Sequence, residues 1–151
     1  MACGDFWMHT VADLMIKTVA ACTPDDSLLD AHRIMTERHI RHVPVIDEQR
    51  QLVGLLSQKE LLRELINIVN NRGTAHLEHY ESKVPVRDVM RKDMVYVTPD
   101  MTLRQAGEYF RSSHSGCLPV TDDGVLVGIL SSGDFVRLSL QLLPPDGSPP
   151  V

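Results

Sequence analysis

No stretch of this chain could cross a membrane as a helix. Such a span needs roughly 18 consecutive apolar residues, and the runs here are far shorter. Residues Met1 to Thr10 carry an acid at Asp5 and neither a basic nor an apolar stretch, so no secretory leader is expected. A basic surplus is missing too. The chain has 15 Lys and Arg against 20 Asp and Glu, a net charge of -5, with the cations scattered among the acids. That argues against a nucleic-acid binder, which needs a cationic stripe to displace counterions from phosphates. Cysteine is scarce and odd in number: Cys3, Cys22 and Cys117 show no C-x-x-C spacing. This excludes a disulfide frame and points to reduced thiols in a cytoplasmic compartment. Cys22 and Cys117 lie in apolar runs and read as small buried hydrophobes.

Reactive constellations are equally absent. His76-x-x-His79 brackets Glu78 but has no further ligand partner, so it reads as a polar linker and no metal is expected. His39 and His42 flank Arg41 without a Ser or Cys at nucleophile spacing. With no acid–base pair and no phosphate-binding glycine loop, an enzyme is not expected.

What remains is 151 residues, 43% of them apolar, enough for one compact domain or two very small ones. A chain of this size buries roughly 70% of its unfolded surface, and it is too apolar to stay disordered.

The chain repeats itself. Offset by 75 residues, Val11-x-Asp13-x-Met15-x-Lys17 falls on Val86-x-Asp88-x-Met90-x-Lys92, and Thr23-Pro24-Asp25 on Thr98-Pro99-Asp100. Leu28, Ala31 and His39 fall on Leu103, Ala106 and His114, and Pro44-Val45-x-Asp47 falls on Pro119-Val120-x-Asp122. One residue is then lost in a turn. Leu52-Val53-Gly54-x-Leu56-Ser57 falls on Leu126-Val127-Gly128-x-Leu130-Ser131, and Arg63 on Arg137. The alignment gives 19 identities in 50 positions, where ordinary composition gives about three. A unit of about 55 residues has been duplicated, too few copies for a solenoid, so a pseudo-twofold pair is expected.

Each copy predicts the order β-α-β-β-α, an α/β (α+β) fold. In the first, Val19 to Thr23 is extended and stops at Pro24; Asp26 or Ser27 caps a helix through about Arg38 with Leu28, Ala31, Ile34 and Met35 on one face. Strands follow at 43–46 and 52–56, then a helix from Ser57 to about Asn71 with Leu61, Leu62, Leu65, Ile68 and Val69 as its buried stripe and Gly73 beyond its end. The second copy reads alike: Met94 to Val97, Thr102 to Ser112, Leu118 to Thr121, Val125 to Leu130, and a helix from Ser132 to about Leu143. The expected organisation is an extension (1–10), unit 1 (11–71), a polar linker (72–85), unit 2 (86–143) and a disordered Pro-rich tail (144–151). Trp7 is expected to dock the N-terminal extension, and the methionines such as Met15 and Met35 to pack in the core.

Two such units, each with D-x-M near its start, P-V-x-D in its middle and G-h-h-S-x-x-[DE]-h at its end (h apolar), resemble a tandem pair of CBS domains, named for cystathionine β-synthase and called a Bateman module. The resemblance covers about residues 11–142. It implies a regulatory module that binds an adenosine ligand, such as AMP, ADP, ATP, NAD or S-adenosylmethionine, in clefts between the paired units. It also implies a homodimer built as a flat disc, and a signal passed to a partner protein.

Residue by residue, the resemblance puts Asp134 on the ribose hydroxyls, Ser131 on phosphate and Gly133 where the backbone comes close; Thr18, Val19 and Ala20 would hold adenine, Leu118 and Pro119 the apolar wall, and Arg41 the phosphates. A carboxylate suits the ribose because it accepts two hydrogen bonds, and a helix start suits an anion. The mirror cleft would use Ser57, Lys59 and Glu60 facing Met94, Val95, Val43 and Pro44, with Gly116 in the place of Arg41. Glu60 is one methylene longer than Asp, so this cleft is expected to be the weaker. Ser131-x-x-Asp134 and Ser57-x-x-Glu60 also fit plain helix capping boxes, and Arg38 and Arg41 also fit a solvated helix end. The competing function is a protein-interaction scaffold with vestigial clefts.

Overall fold

The computed structural model describes residues 10–147. The expectations for Cys3, Trp7 and residues 148–151 lie outside them. The elements run α1 (Val11–Leu14), α2 (Leu28–Arg38), β1 (His42–Ile46), β2 (Leu52–Ser57), α3 (Gln58–Arg72), α4 (Leu77–Glu81), α5 (Leu103–Ser112), β3 (Cys117–Asp122), β4 (Val125–Ser131) and α6 (Ser132–Leu142). The fold is mixed α and β, with a two-stranded sheet β1–β2 and a second β3–β4.

The chain forms two compact units. A middle unit takes Val19–Val95 with Asp123–Leu126, and a terminal unit takes the chain up to Thr18, Tyr96–Asp122 and the chain from Val127 on. Sequence copies and compact units are therefore different partitions of the chain. The D-x-M leader of each copy packs in the unit whose helices and strands come from the other copy. In the terminal unit Val11 and Leu14 share a core with Val97, Leu103, Ala106, Leu118, Val120 and Leu130. In the middle unit Val86 lies among Cys22, Leu28, Ala31, Met35, Val43, Val45, Leu56 and Leu61.

The docking bonds match in the two units. Val11 N–H donates to Met101 O at 2.8 Å and Ala12 N–H to Pro99 O at 3.0 Å, while Val86 N–H donates to Asp26 O at 2.7 Å and Arg87 N–H to Pro24 O at 3.0 Å. Ile16 and Ile129 exchange two backbone bonds, as do Leu55 and Arg91, all at 2.9 Å. The glycine of the G-h-h-S motif explains itself here. A Cβ on Gly128 would sit 2.5 Å from Met15 Sδ and 3.1 Å from Ile16 O; on Gly54, 2.5 Å from Met90 Sδ and 3.1 Å from Arg91 O. The D-x-M methionine and this glycine are one packing device, repeated.

The helices begin and end close to expectation. Ser27 caps α2 by accepting from Asp30 N–H, and Gly73, at φ 77°, ends α3. The leading strand of each copy, expected at 19–23 and 94–97, is corrected to a single bridge: Cys22 with Val45 and Val97 with Val120. Each is held by two backbone bonds, and Pro24 or Pro99, two residues on, has no N–H to continue the ladder. On α3 the expected buried stripe is corrected at Leu62, which is 48% exposed, whereas Leu61 and Ile68 are buried. The linker is not featureless. It carries α4, whose Glu81 is only 2% exposed and meets His32 Nδ1 at 2.5 Å. Among the described residues no helix is long and apolar enough to cross a membrane.

Candidate functional site

In each copy of the repeat the second inner strand runs straight into a helix, and the motif Ser-x-x-acid spans that turn. In the terminal unit β4 ends at Ser131 and α6 begins at Ser132; in the middle unit β2 ends at Ser57 and α3 begins at Gln58. The first helical N–H is satisfied the same way in both. Ser132 N–H donates to Gly116 O at 3.1 Å, and Gln58 N–H donates to Arg41 O at 2.7 Å. The residue before each inner strand is thereby tied to the helix start.

The terminal unit groups Gly116, Leu118, Pro119, Ser131, Gly133, Asp134 and Thr18. Leu118 and Pro119 are buried in β3, Ser131 is half-buried, Gly116 is half-buried, and Gly133 and Thr18 are exposed. Asp134 is 2% exposed and already engaged: its Oδ2 accepts from Ser131 N–H at 2.8 Å, and its Oδ1 accepts from Arg137 Nη2 at 2.8 Å. The carboxylate is pinned at a helix start, where the dipole favours it. Beside it Cys117 is buried, and burial first, then the Asp134 charge, pushes its thiol up to about 12. That thiol stays protonated and unreactive at neutral pH.

The middle unit groups Arg41, Val43, Pro44, Ser57, Lys59, Glu60, Val19, Ala20, Met94 and Val95. Thr18 falls in the terminal unit, and Val19, Ala20 and Arg41 fall in the middle unit. Val43 and Pro44 are buried in β1; Val19, Ala20, Ser57, Glu60 and Met94 are half-buried; Arg41, Lys59 and Val95 are exposed. Ser57 Oγ accepts from Glu60 N–H at 3.3 Å. The reciprocal bond is not made, and Glu60 Oε1 is buried with no hydrogen-bond partner. Arg63, the repeat equivalent of Arg137, makes no ion pair with it among the described residues.

His42 lies beside this turn. It sits opposite Ser57 in the β1–β2 register. Burial lowers its pKa below the ordinary 6.5; Glu60 pulls it up, and Arg41 pushes it down. Sequence reasoning weighed His42 only as a partner for a nucleophile. The signal that could have found it was its pairing with Cys117 across the repeat, a place where two near-identical motifs diverge. Arg137 was visible only as a repeated Arg, without its role. Among the described residues no group of three or more His, Cys, Asp or Glu is placed to hold a metal.

With this geometry in hand the comparisons are direct. The family model of the CBS domain matches residues 11–67 and 86–141, so the chain belongs to the CBS-domain family and carries two copies. CBSX2 of Arabidopsis thaliana, solved in complex with AMP, is 31% identical, has a TM-score of 0.74 and aligns over 89% of this chain and 98% of its own. The CBS domain-containing protein YhcV of Bacillus subtilis is 29% identical over 128 residues, 85% of this chain and 84% of YhcV. A homoserine O-acetyltransferase of Methanohalobium evestigatum is 29% identical over 137 residues, and there this chain spans only 25% of the relative's length.

Proposed function

We propose that this chain is a regulatory module that binds an adenosine-containing ligand, AMP, ADP, ATP or NAD, and passes its occupancy to a partner protein. The observation that carries the reading is the duplicated strand-to-helix turn with an acid at its third helical position, in a chain 31% identical to a protein solved with AMP. Free N–H groups and the dipole at such a turn favour an anion, and the acid offers acceptors to hydroxyl groups. Regulation by the ligand is a population shift, bounded by its differential affinity for two states of the chain.

A second copy of the chain is the expected companion. Leu62 and Ile66 on α3, and Val136 and Leu140 on α6, are exposed. These are equivalent repeat positions at i, i+4 spacing, forming a stripe on each helix. Sedimentation equilibrium of the intact chain and of Ile66→Glu with Leu140→Glu tests this, with a dimer expected only for the former.

A second reading has one observation behind it. Both Asp134 oxygens are already engaged, which suits a protein-interaction scaffold with vestigial clefts. Thermal unfolding against AMP, ADP, ATP, NAD and S-adenosylmethionine separates the two. A ligand at about 100 times its dissociation constant adds roughly 2.7 kcal/mol, a rise of several degrees. No rise with any of them favours the scaffold.

A further inference from the structure

We infer that the face of α5 and α6 around Phe110 and Phe135 is a docking surface for the chain's own N-terminal segment Phe6-Trp7-Met8, which covers the terminal unit there as α4 covers the middle one. The inference is independent of ligand binding. Three observations carry it.

The first is an uncovered face. In the middle unit α4 packs on α2 and α3. Glu81 meets His32 at 2.5 Å, and the Arg72 guanidinium lies 5.0 Å from the centre of the Tyr80 ring. His32 and Arg72 are one helical turn from Met35 and Ile68. Met35, Leu61 and Ile68 are 3%, 1% and 7% exposed. Their repeat equivalents are Phe110, Phe135 and Leu142. Phe110 and Phe135 are only half-buried, and Leu142 is 52% exposed. Among the described residues the terminal unit has no helix corresponding to α4. Residues 143–147 are all exposed, so they do not supply the cover.

The second is where the chain enters. α4 lies just ahead of the leader of the middle unit, which joins that unit through a bridge between Pro85 and Ser27. The terminal unit has the equivalent bridge, between Thr10 and Thr102. The residues ahead of Thr10 are therefore attached beside α5 as those ahead of Pro85 are attached beside α2. At the offset of 75 residues, Phe6, Trp7 and Met8 fall on Glu81, Ser82 and Lys83.

The third is complementarity. Phe6 stands at the station of buried Glu81, and Gly107 at the station of its partner His32. A carboxylate against an imidazole is exchanged for an aromatic ring against a glycine. The Phe135 ring is the nearest side chain to Gly107, 3.4 Å from where a Cβ would sit. It meets the Phe110 ring edge to face, with centroids 5.7 Å apart. A further ring is attracted to such edges and faces, and no side chain projects from Gly107 to keep it away.

The test is nuclear Overhauser spectroscopy of the full chain, with labelled and unlabelled chains mixed to separate contacts within a molecule from contacts between molecules. The expected result is contact from the Phe6 ring to Phe110 and Phe135 within one molecule. Phe6→Ala should lower the thermal midpoint by a few degrees. It should lower it less in a Phe135→Leu background, which carries the middle unit's residue at that station. Each variant is first shown to unfold cooperatively. A Phe6 ring without contact to Phe110 or Phe135 overturns the inference. Contact found only between molecules overturns it too, and makes a second copy the occupant. A Phe6→Ala loss that is equal in both backgrounds places Phe6 against other residues and likewise overturns it.

Discussion

Asp134 and Glu60 hold the same station in the two units, the third residue of the helix that follows the inner hairpin, yet they are in opposite states. Asp134 is closed, bonded to Ser131 N–H and Arg137. Glu60 is open, with a buried oxygen that nothing meets. Around them the neighbours diverge in step: Gly116 and Cys117 beside the closed acid, Arg41 and His42 beside the open one. The two copies share the parts that build the fold and differ at the residues around these acids. The lesson is that a motif matched letter by letter does not fix the bonds its acid makes, which depend on the neighbours that differ between the copies.

The strongest way to probe the shared part is to break it in both places. Gly54→Ala and Gly128→Ala each drive a Cβ into a methionine and a backbone carbonyl. Each should cost up to about 3 kcal/mol, and by similar amounts, measured by urea denaturation. A large effect at one glycine and none at the other would mean the two leaders dock differently.

Next comes a contact that only the middle unit has. His32 is the hydrogen-bond partner of buried Glu81, and its repeat equivalent is Gly107. His32→Ala strands that carboxylate and should cost about 2 kcal/mol; an unchanged midpoint would show that Glu81 finds other partners.

A smaller effect separates the two acids directly. Asp134→Asn should lose about 1 kcal/mol of cap and ion-pair stabilisation, while Glu60→Gln should change stability by less than about 0.5 kcal/mol. Equal losses would erase the distinction between closed and open.

The last contrast is in pH. His42 has a folded pKa below its ordinary 6.5, so the unfolded chain takes up the proton first. Stability should therefore fall as pH drops below about 6.5 and level off below the folded value. His42→Asn should remove that part of the acid slope. Cys117, its counterpart, works at the other end. Its thiol is pushed up to about 12 from 9.0, so the unfolded chain loses its proton first and stability falls as pH rises above about 9. Alkaline unfolding that Cys117→Ala leaves untouched would contradict this.

Much of the fold was legible. The duplicated periodicity set the helices and inner strands, because capping residues, Pro-Val runs and turn residues act locally. Ser27 and Thr102 start their helices, and Gly73 ends its helix, where the pattern places them. The exchange of leaders was not legible, because a repeat aligned to itself carries no information on which copy a leader packs against. Leu62 misled for a related reason: an apolar residue on a helix is the same letter whether it faces a core or the outside. The Ser-x-x-acid turns were found from sequence, but their states were not, since whether Arg137 reaches Asp134 and Arg63 misses Glu60 is decided by side-chain geometry. His42 escaped because the acid that shifts its pKa, Glu60, comes from another element.

The most direct measurement is the change in backbone amide and histidine ring resonances of the full chain as AMP is added. The account predicts saturable shifts at the two strand-to-helix turns, Ser57 to Glu60 and Ser131 to Asp134, with the rest of the backbone little moved. Shifts absent from both turns would contradict it.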